Sequence, residues 1–315
     1  MLVDGQWDQE WKAVQSKDED GRFIRQTSTF RHWITADGSA GPTGDAGFKA
    51  EKGRYHLYVG YICPWASRTL MARTLKGLED YISVSVVNPV LTTQGWQFDG
   101  FPGSTADELH GKTYMHELYT LADPHVNGRA TVPVLWDKQQ DVMVSNESAD
   151  IVRMLNTAFD HLTGNTLDLY PQALASQIDE LNPRIYTQLN NGVYQAGFAS
   201  SQKAYEEAYN NVFSMLDELE GRLSDGRDYL FAEGFTETDI RTFVTLVRFD
   251  AAYHGLFKTN RNTLKEMPYL HAYMKRILAL PGVADTVKLD HIKAGYYSIK
   301  DLNPNGIVPV GPAEI

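Results

Sequence analysis

The chain has 315 residues, 43% hydrophobic and 22% charged, enough apolar material for one large or two ordinary globular domains. Its 40 acidic residues against 29 basic give a net charge of −11, which argues against general binding to nucleic acid or to an anionic membrane, since both need a cationic face. The single cysteine excludes an intramolecular disulfide and fits a reducing compartment. No stretch is long and apolar enough to cross a bilayer, and MLVDGQWDQEWKAVQ (1–15) lacks the apolar segment of a secretory signal, so a cytoplasmic protein is expected.

Residues 1–53 are polar and rich in Gly, and read as an N-terminal extension in which FRHWIT (30–35) is extended and DGSAGPTGDAG (37–47) is a loop. HLYVGYI (56–62) is β-branched and aromatic and predicts a buried strand. After Cys63-Pro64-Trp65-Ala66 comes a helix with Leu70, Met71, Leu75 and Leu78 on one face, Pro64 at its first position and Gly77 near its end. YISVSVVNPV (81–90) predicts a second strand, and the stretch 91–130, rich in Gly, Asp and His, carries no predicted element. VPVLWD (132–137) and DVMVS (141–145) read as a hairpin, and NESADIVRMLNTAF (146–159) as a helix. Strand, helix, strand, hairpin and closing helix over 54–160 is the thioredoxin-like order.

From 172 to 290 only helix patterns follow. IDELNPRIYTQLNNGVYQAGF is a helix that Pro183 kinks, and QKAYEEAYNNVFSMLDELEGRL is a long amphipathic one. The clearest helix start has Thr236 as N-cap, Asp239 three residues on, and Phe235 and Ile240 placed as a hydrophobic staple. Ile240, Phe243, Val244, Val247 and Ala251 continue it as a core-facing stripe. The fold class is therefore α/β plus all-α: a thioredoxin-like domain (54–160), an all-helical domain (172–290) and a C-terminal tail (291–315).

Cys63 stands where a strand turns into a helix led by Pro64, so the positive end of the helix favours its thiolate, the nucleophilic form. Ala66 occupies the place where a dithiol redox site carries its second cysteine, so any redox partner must be an external thiol. Val132-Pro133 opens a strand, and in a thioredoxin-like context this proline is expected to be cis. Glu147-Ser148 begins a helix, where Ser148 is placed to cap it or to help hold a carboxylate; Arg129, before the VPV strand, can take a carboxylate in a bidentate pair. There is no phosphate-binding glycine loop and no metal-ligand cluster at recognisable spacing, so no metal is expected.

YICPWASR (61–68), GRATVPVLWD (128–137), VSNES (144–148), NNGVYQAGFA (190–199), TETDIRTFVTLVRFDAAYHGLFKTN (236–260) and LNPNGIVPVGP (302–312) together resemble the glutathionyl-hydroquinone reductases, the xi class of the glutathione transferases. The resemblance runs from about residue 20 to the C-terminus. It implies Cys63 as the catalytic cysteine, and Trp96, Arg129, Val132, Glu147 and Ser148 as residues that hold glutathione, the co-substrate. It implies Tyr194, Tyr253 and Tyr296 around an aromatic substrate, the tail packing near the active site, and a homodimer paired through the helical domain. One departure is Gly295, before the Tyr296-Tyr297 pair, where the family usually carries histidines nearby. The implied activity is glutathione-dependent reduction of a glutathionyl-hydroquinone. The alternatives are an omega-like thioltransferase or dehydroascorbate reductase, against which the C-terminal motif and NNGVY speak, and a non-catalytic ligand-binding protein of the same fold, against which Cys63 speaks.

Overall fold

The computed structural model describes residues 1–8, 16–42 and 47–315; residues 43–46 of the loop expected over 37–47 lie outside this set. It divides into two units: Met1–Ala13 with Gln26–Asp168 and Thr286–His291, and Val14–Arg25 with Leu169–Asp285 and Ile292–Ile315.

In the first unit two small ladders come first, β1 (Leu2–Val3) with β2 (Gln6–Trp7), and β3 (Trp33–Thr35) with β4 (Gly47–Lys49). Then come β5 (Tyr55–Val59), α1 (Pro64–Leu75), β6 (Ile82–Val86), α2 (Met115–Ala122), β7 (Val134–Asp137), β8 (Val142–Ser145), α3 (Ser148–Thr157) and α4 (Asp160–Thr163). The main sheet has the order β6-β5-β7-β8, with β5 parallel to β6 and the other pairs antiparallel. Leu57 of β5 faces Val84 on one side and Leu135 on the other. All five residues of β5 are buried, so its sequence shows no alternation, and its one polar member, His56, is paired through its ring nitrogens with the hydroxyls of Ser83 and Ser85. This is the thioredoxin-like arrangement expected.

The ends of α1 follow from its sequence. Pro64 takes the first helical position, where its missing N–H costs nothing, and Gly77, just past the cap residue Lys76, has φ +65°, which a side chain would resist. α2 falls in the stretch for which the sequence predicts no element. Its start is fixed by Tyr114 as N-cap and by Glu117, whose carboxylate accepts from the Tyr114 N–H at 2.8 Å. The helix is eight residues long and buries only Met115, Leu118 and Tyr119, too short a stripe to stand out among the polar residues around it.

The second unit contains α5 (Ala175–Ile185), α6 (Gly192–Gly197), α7 (Gln202–Leu223), α8 (Glu237–Arg248) and α9 (Pro268–Leu278); the division passes through α10 (Leu289–Tyr297). The single kinked helix expected around Pro183 is α5 and α6 joined by a π-helical turn, Tyr186–Asn190, closed by the Asn191 N–H donating to the Tyr186 carbonyl at 2.8 Å. A second π turn, Phe249–Tyr253, extends α8. Residues 16–25 belong with this unit. The Arg22 Nε donates to Glu207 of α7 at 2.9 Å, and Gly21 (φ +84°) lies so close that a Cβ there would meet Ser200 Oγ at 2.7 Å.

The cap of α8 is built as the sequence indicates. The Thr236 hydroxyl accepts from the Thr238 N–H, and Asp239 accepts from the N–H groups of Leu230 and Thr236 and from the hydroxyl of Tyr273. Ile240, Phe243, Val244, Val247 and Ala251 are all buried. Burial pushes the Asp239 carboxyl up to about 6, although its donors oppose the shift. Because its folded pKa lies above the unfolded value near 3.8, its contribution to stability is full below pH ~4 and declines as pH rises through ~6. Asp239→Ala leaves these buried donors without their acceptor, and a loss of about 3 kcal/mol is expected, read from the urea unfolding midpoint at constant slope.

Candidate active site

In the first unit, the chain leaves β5 at Val59 and turns so that the Cys63 N–H donates to the Gly60 carbonyl at 3.0 Å. Cys63, half-buried, is the N-cap residue of α1, and no acidic side chain stands in the first turn to oppose the positive end of the helix. Its Sγ lies 3.5 Å from the carbonyl oxygen of Val132. The Val132-Pro133 bond is cis, as expected. Among the described residues the buried Val132 N–H meets no protein acceptor, so this backbone can pair with the peptide part of a thiol ligand lying against Cys63.

At the start of α3 the cap is Glu147, a correction to the expectation for Ser148. Glu147 accepts from the Ala149 N–H at 3.0 Å and from the Ser28 hydroxyl at 2.9 Å, and buried Ser148 is the first helical residue. A carboxylate at the cap gains from the helix dipole as well as from the hydrogen bond, which a serine does not. Of the other expected glutathione residues, half-buried Trp96 accepts at its backbone carbonyl from the Met115 N–H at 2.9 Å and so sits at the start of α2. Arg129, also half-buried, is tied by its backbone N–H to Gln26 at 3.0 Å. Cys63 thus meets Val132 directly, Glu147 and Ser148 adjoin, and Trp96 and Arg129 stand on separate loops.

In the second unit, three tyrosines distant in sequence come together. Tyr194 is on α6, Tyr253 ends the second π turn, and Tyr296 is on α10. The Tyr296 hydroxyl lies 2.5 Å from that of Tyr194 and 2.8 Å from that of Tyr253. Phe257 fills the space among the rings, 5.3 Å from Tyr194, 5.2 Å from Tyr253 and 5.5 Å from Tyr296. Gly197 is required there, because a Cβ would stand 2.4 Å from the Phe257 ring. Tyr253 and Tyr296 are fully buried and Tyr194 is half-buried. Burial, with the neighbouring phenols, pushes Tyr253 and Tyr296 well above the ordinary tyrosine range, so both hold their protons as donors. One π turn ends on Tyr253 and the other leads into α6, which carries Tyr194; such insertions often occur at functional sites.

A glutathione S-transferase N-terminal domain model matches residues 62–158 and a C-terminal domain model matches 202–276. The chain is 52% identical to glutathionyl-hydroquinone reductase YqjG of Escherichia coli, over 99% of this chain and 95% of that one. It is 46% identical to glutathionyl-hydroquinone reductase PcpF of Sphingobium chlorophenolicum, over 100% and 96%. The glutathione-bound structure of YqjG superposes with a TM-score of 0.91 at 50% identity, covering 99% of this chain and 95% of that one. The Xi glutathione transferase of Phanerochaete chrysosporium gives 0.89 at 47%, covering 96% of each. The chain belongs to the glutathionyl-hydroquinone reductases, the Xi class of the glutathione transferases.

Sequence reading did not single out two arginines of this Xi-class chain. Arg25 lies with its guanidinium carbon 4.8 Å over the Tyr194 ring and 5.2 Å over that of Phe23, and its Nε donates to Asn191 at 2.8 Å. Arg248 is fully buried, donates to the Val244 carbonyl at 2.7 Å, and precedes Tyr253 by the five residues that a π turn places one above the other. Its charge opposes the upward push on the Tyr253 and Tyr296 phenols. Arg25 sits in an extension with no periodicity to mark it; Arg248 falls beside an apolar stripe, where an arginine inside the core is the one available signal.

Proposed function

We propose that this protein reduces glutathionyl-hydroquinones to hydroquinones at the expense of glutathione, with Cys63 as nucleophile. The observation that carries the reading is a lone cysteine capping α1 beside the Val132 carbonyl, in a chain 52% identical to a glutathionyl-hydroquinone reductase over nearly its whole length. The Cys63 thiolate attacks the thioether sulfur; the carbon–sulfur bond to the ring breaks as the sulfur–sulfur bond forms. The ring carbon leaves with the electron pair and takes a proton, giving hydroquinone, while Cys63 holds glutathione as a mixed disulfide. A second glutathione attacks that disulfide, its thiol supplying the proton that balances the cycle, and oxidised glutathione departs. Val132, Glu147, Ser148, Trp96 and Arg129 bind the tripeptide, and the phenols of Tyr194, Tyr253 and Tyr296 serve the quinol oxygens and the developing charge. The family resemblance further supports a homodimer joined through the helical unit, working in the cytoplasm, where glutathione is kept reduced.

The test compares two substrates with the same enzyme: the glutathione adduct of 1,4-benzoquinone and a simple glutathione mixed disulfide. A kcat/KM for the adduct at least ~10-fold above that for the disulfide is expected, because only the adduct uses the phenols. A preference for the disulfide or for dehydroascorbate overturns the reading in favour of an omega-like thioltransferase.

A further inference from the structure

Trp96 and Arg129 stand on separate loops of the first unit, and one short element reaches both loops. Residues 2–7 form a hairpin, β1 with β2, whose turn residues Asp4 and Gly5 have φ of +48° and +71°, the positive pair that Asp-Gly adopts readily. Two strands of two residues each do not hold by themselves, so the hairpin depends on what it lies against. On one side it forms a ladder with the segment just before Arg129. The Leu2 N–H donates to the Gly128 carbonyl at 2.7 Å, the Gly128 N–H returns to the Leu2 carbonyl at 2.9 Å, and the Gly5 N–H donates to the Val126 carbonyl at 2.9 Å. On the other side Trp7 lies against the turn just before Trp96. Its indole Nε1 donates to the Thr93 carbonyl at 3.1 Å, and a Cβ on Gly95 would stand 3.2 Å from the indole. The Trp7 ring also stacks on His116 of α2, with centroids 4.4 Å apart, and His116 Nε2 lies 3.0 Å from Gln94 Oε1 in the same turn. α2 leads on to the thiol site: the buried Tyr119 hydroxyl donates to the Thr131 carbonyl at 3.0 Å and accepts from the Asn146 amide at 3.0 Å, and these two residues directly precede Val132 and Glu147.

We propose that Trp7 is a positioning residue for glutathione, holding the turn of residues 92–95 against α2 so that Trp96 is in place before the tripeptide arrives. The inference rests on the reading above, in which Trp96 holds glutathione, and adds to it the residue that acts through Trp96. The turn closes on itself by a reciprocal pair, Thr92 N–H to Gly95 carbonyl and Gly95 N–H to Thr92 carbonyl, both at 3.0 Å. Those two bonds fix the shape of the turn but not its position. Position comes from outside, from the indole of Trp7 and from the imidazole of His116 beneath it. A loop that carries a binding side chain and is not held beforehand has to be ordered when the ligand binds, and that ordering is subtracted from the affinity. The ladder onto Val126 and Gly128 keeps the hairpin itself in register, so Trp7 is a fixed wall. Trp7 thus acts on binding of the glutathionyl part, which every substrate shares, and not on the exchange at sulfur. Its effect falls on KM and on glutathione affinity, with kcat little changed.

The experiment uses the full chain with Trp7→Ala, Trp7→Phe, Trp96→Ala and the double variant Trp7→Ala/Trp96→Ala. Titration calorimetry under reducing conditions gives the affinity for glutathione, and initial rates give kcat and KM for the glutathione adduct of 1,4-benzoquinone. Trp7→Ala is expected to weaken glutathione binding about 10-fold and to raise KM by a similar factor, with kcat within about twofold. Trp7→Phe keeps a ring against His116 and loses the N–H to Thr93, so it should recover most of the affinity and remain about threefold weaker than the unchanged protein. The double variant should bind no more weakly than Trp96→Ala alone, because a residue acting through Trp96 has nothing left to act on. A fall in kcat at constant KM, losses that add in the double variant, or an unchanged affinity in either Trp7 variant each overturn the proposal; Trp7→Phe decides it if the alanine variant does not fold. Trp96→Ala with unchanged affinity overturns both the proposal and the place of Trp96 in the glutathione site. Trp96→Ala weakened beside an unaffected Trp7→Ala removes Trp7 alone. If the unchanged protein leaves the adduct intact, the reductase reading fails, an outcome seen before any variant is compared, and the calorimetric affinities still decide on Trp7.

Discussion

Cys63→Ala is expected to abolish release of hydroquinone from a glutathionyl adduct, a loss of at least ~10³-fold, while the circular dichroism spectrum and the unfolding midpoint stay near those of the unchanged protein. The loss is large because no other group in the chain can take the role: Cys63 is the only cysteine, and attack on sulfur needs a soft nucleophile that can remain bonded to it. The fold should survive because Cys63 is only half-buried and the hydrogen bond from its thiol to the Val132 carbonyl is long at 3.5 Å. Cys63→Ser separates two contributions. A hydroxyl at this helix start can still hydrogen-bond the thiolate of bound glutathione without being consumed, so the serine variant is expected to gain weak glutathione-conjugating activity while its reductase activity stays at the level of the alanine variant. Steady-state assays of both reactions on both variants check this. Reductase activity comparable to the unchanged protein in either one would remove Cys63 from the mechanism.

The sequence makes the core elements legible wherever packing and local chemistry agree. α7 is legible over Gln202–Leu223 because its apolar residues keep one face for 22 residues. The start of α8 is legible from Thr236 and Asp239 because a capping box is a local device whose partners lie three residues apart. β5 is legible as buried and Cys63 as the residue between it and α1, which is most of the first half of the candidate site.

The parts that are not legible depend on contacts that no short window contains. The two π turns insert a residue without disturbing the apolar pattern, yet they decide which way Tyr253 and the start of α6 face. The meeting of Tyr194, Tyr253 and Tyr296 spans more than a hundred residues, and with 17 tyrosines in the chain composition cannot choose among them; the family resemblance does. At α3 both Glu147 and Ser148 are plausible capping groups, and which one caps depends on where the backbone turns from extended to helical. That occurs after Glu147, whose φ of −101° and ψ of 111° are still extended. Arg25 escapes notice because its partners, Asn191 and Tyr194, lie 166 or more residues away.

The second large effect is expected when glutathione is withheld. Ala66, fully buried on α1, stands where a resolving cysteine would have to be, so the mixed disulfide on Cys63 has no exit within the chain. One equivalent of the benzoquinone–glutathione adduct should then release one equivalent of hydroquinone and stop. Intact-protein mass spectrometry should find one glutathionyl group on the protein, lost again on treatment with dithiothreitol. Adding glutathione should restart turnover, and initial rates with both substrates varied should give the parallel double-reciprocal lines of a ping-pong mechanism. The alternative, in which glutathione attacks the adduct directly and Cys63 only assists electrostatically, needs both substrates bound at once; without glutathione it releases no hydroquinone, and it gives intersecting lines. An unmodified protein after hydroquinone release would likewise rule out the covalent route. The Ala66→Cys variant extends the test. Positions three apart at a helix start face the same side, so a thiol there gives the mixed disulfide an internal exit. That variant should release its bound glutathione as a free thiol after one turnover and finish with an internal disulfide joining the new sulfur to that of Cys63. Its mass should then be two hydrogen atoms below that of its reduced form, with no glutathionyl group attached.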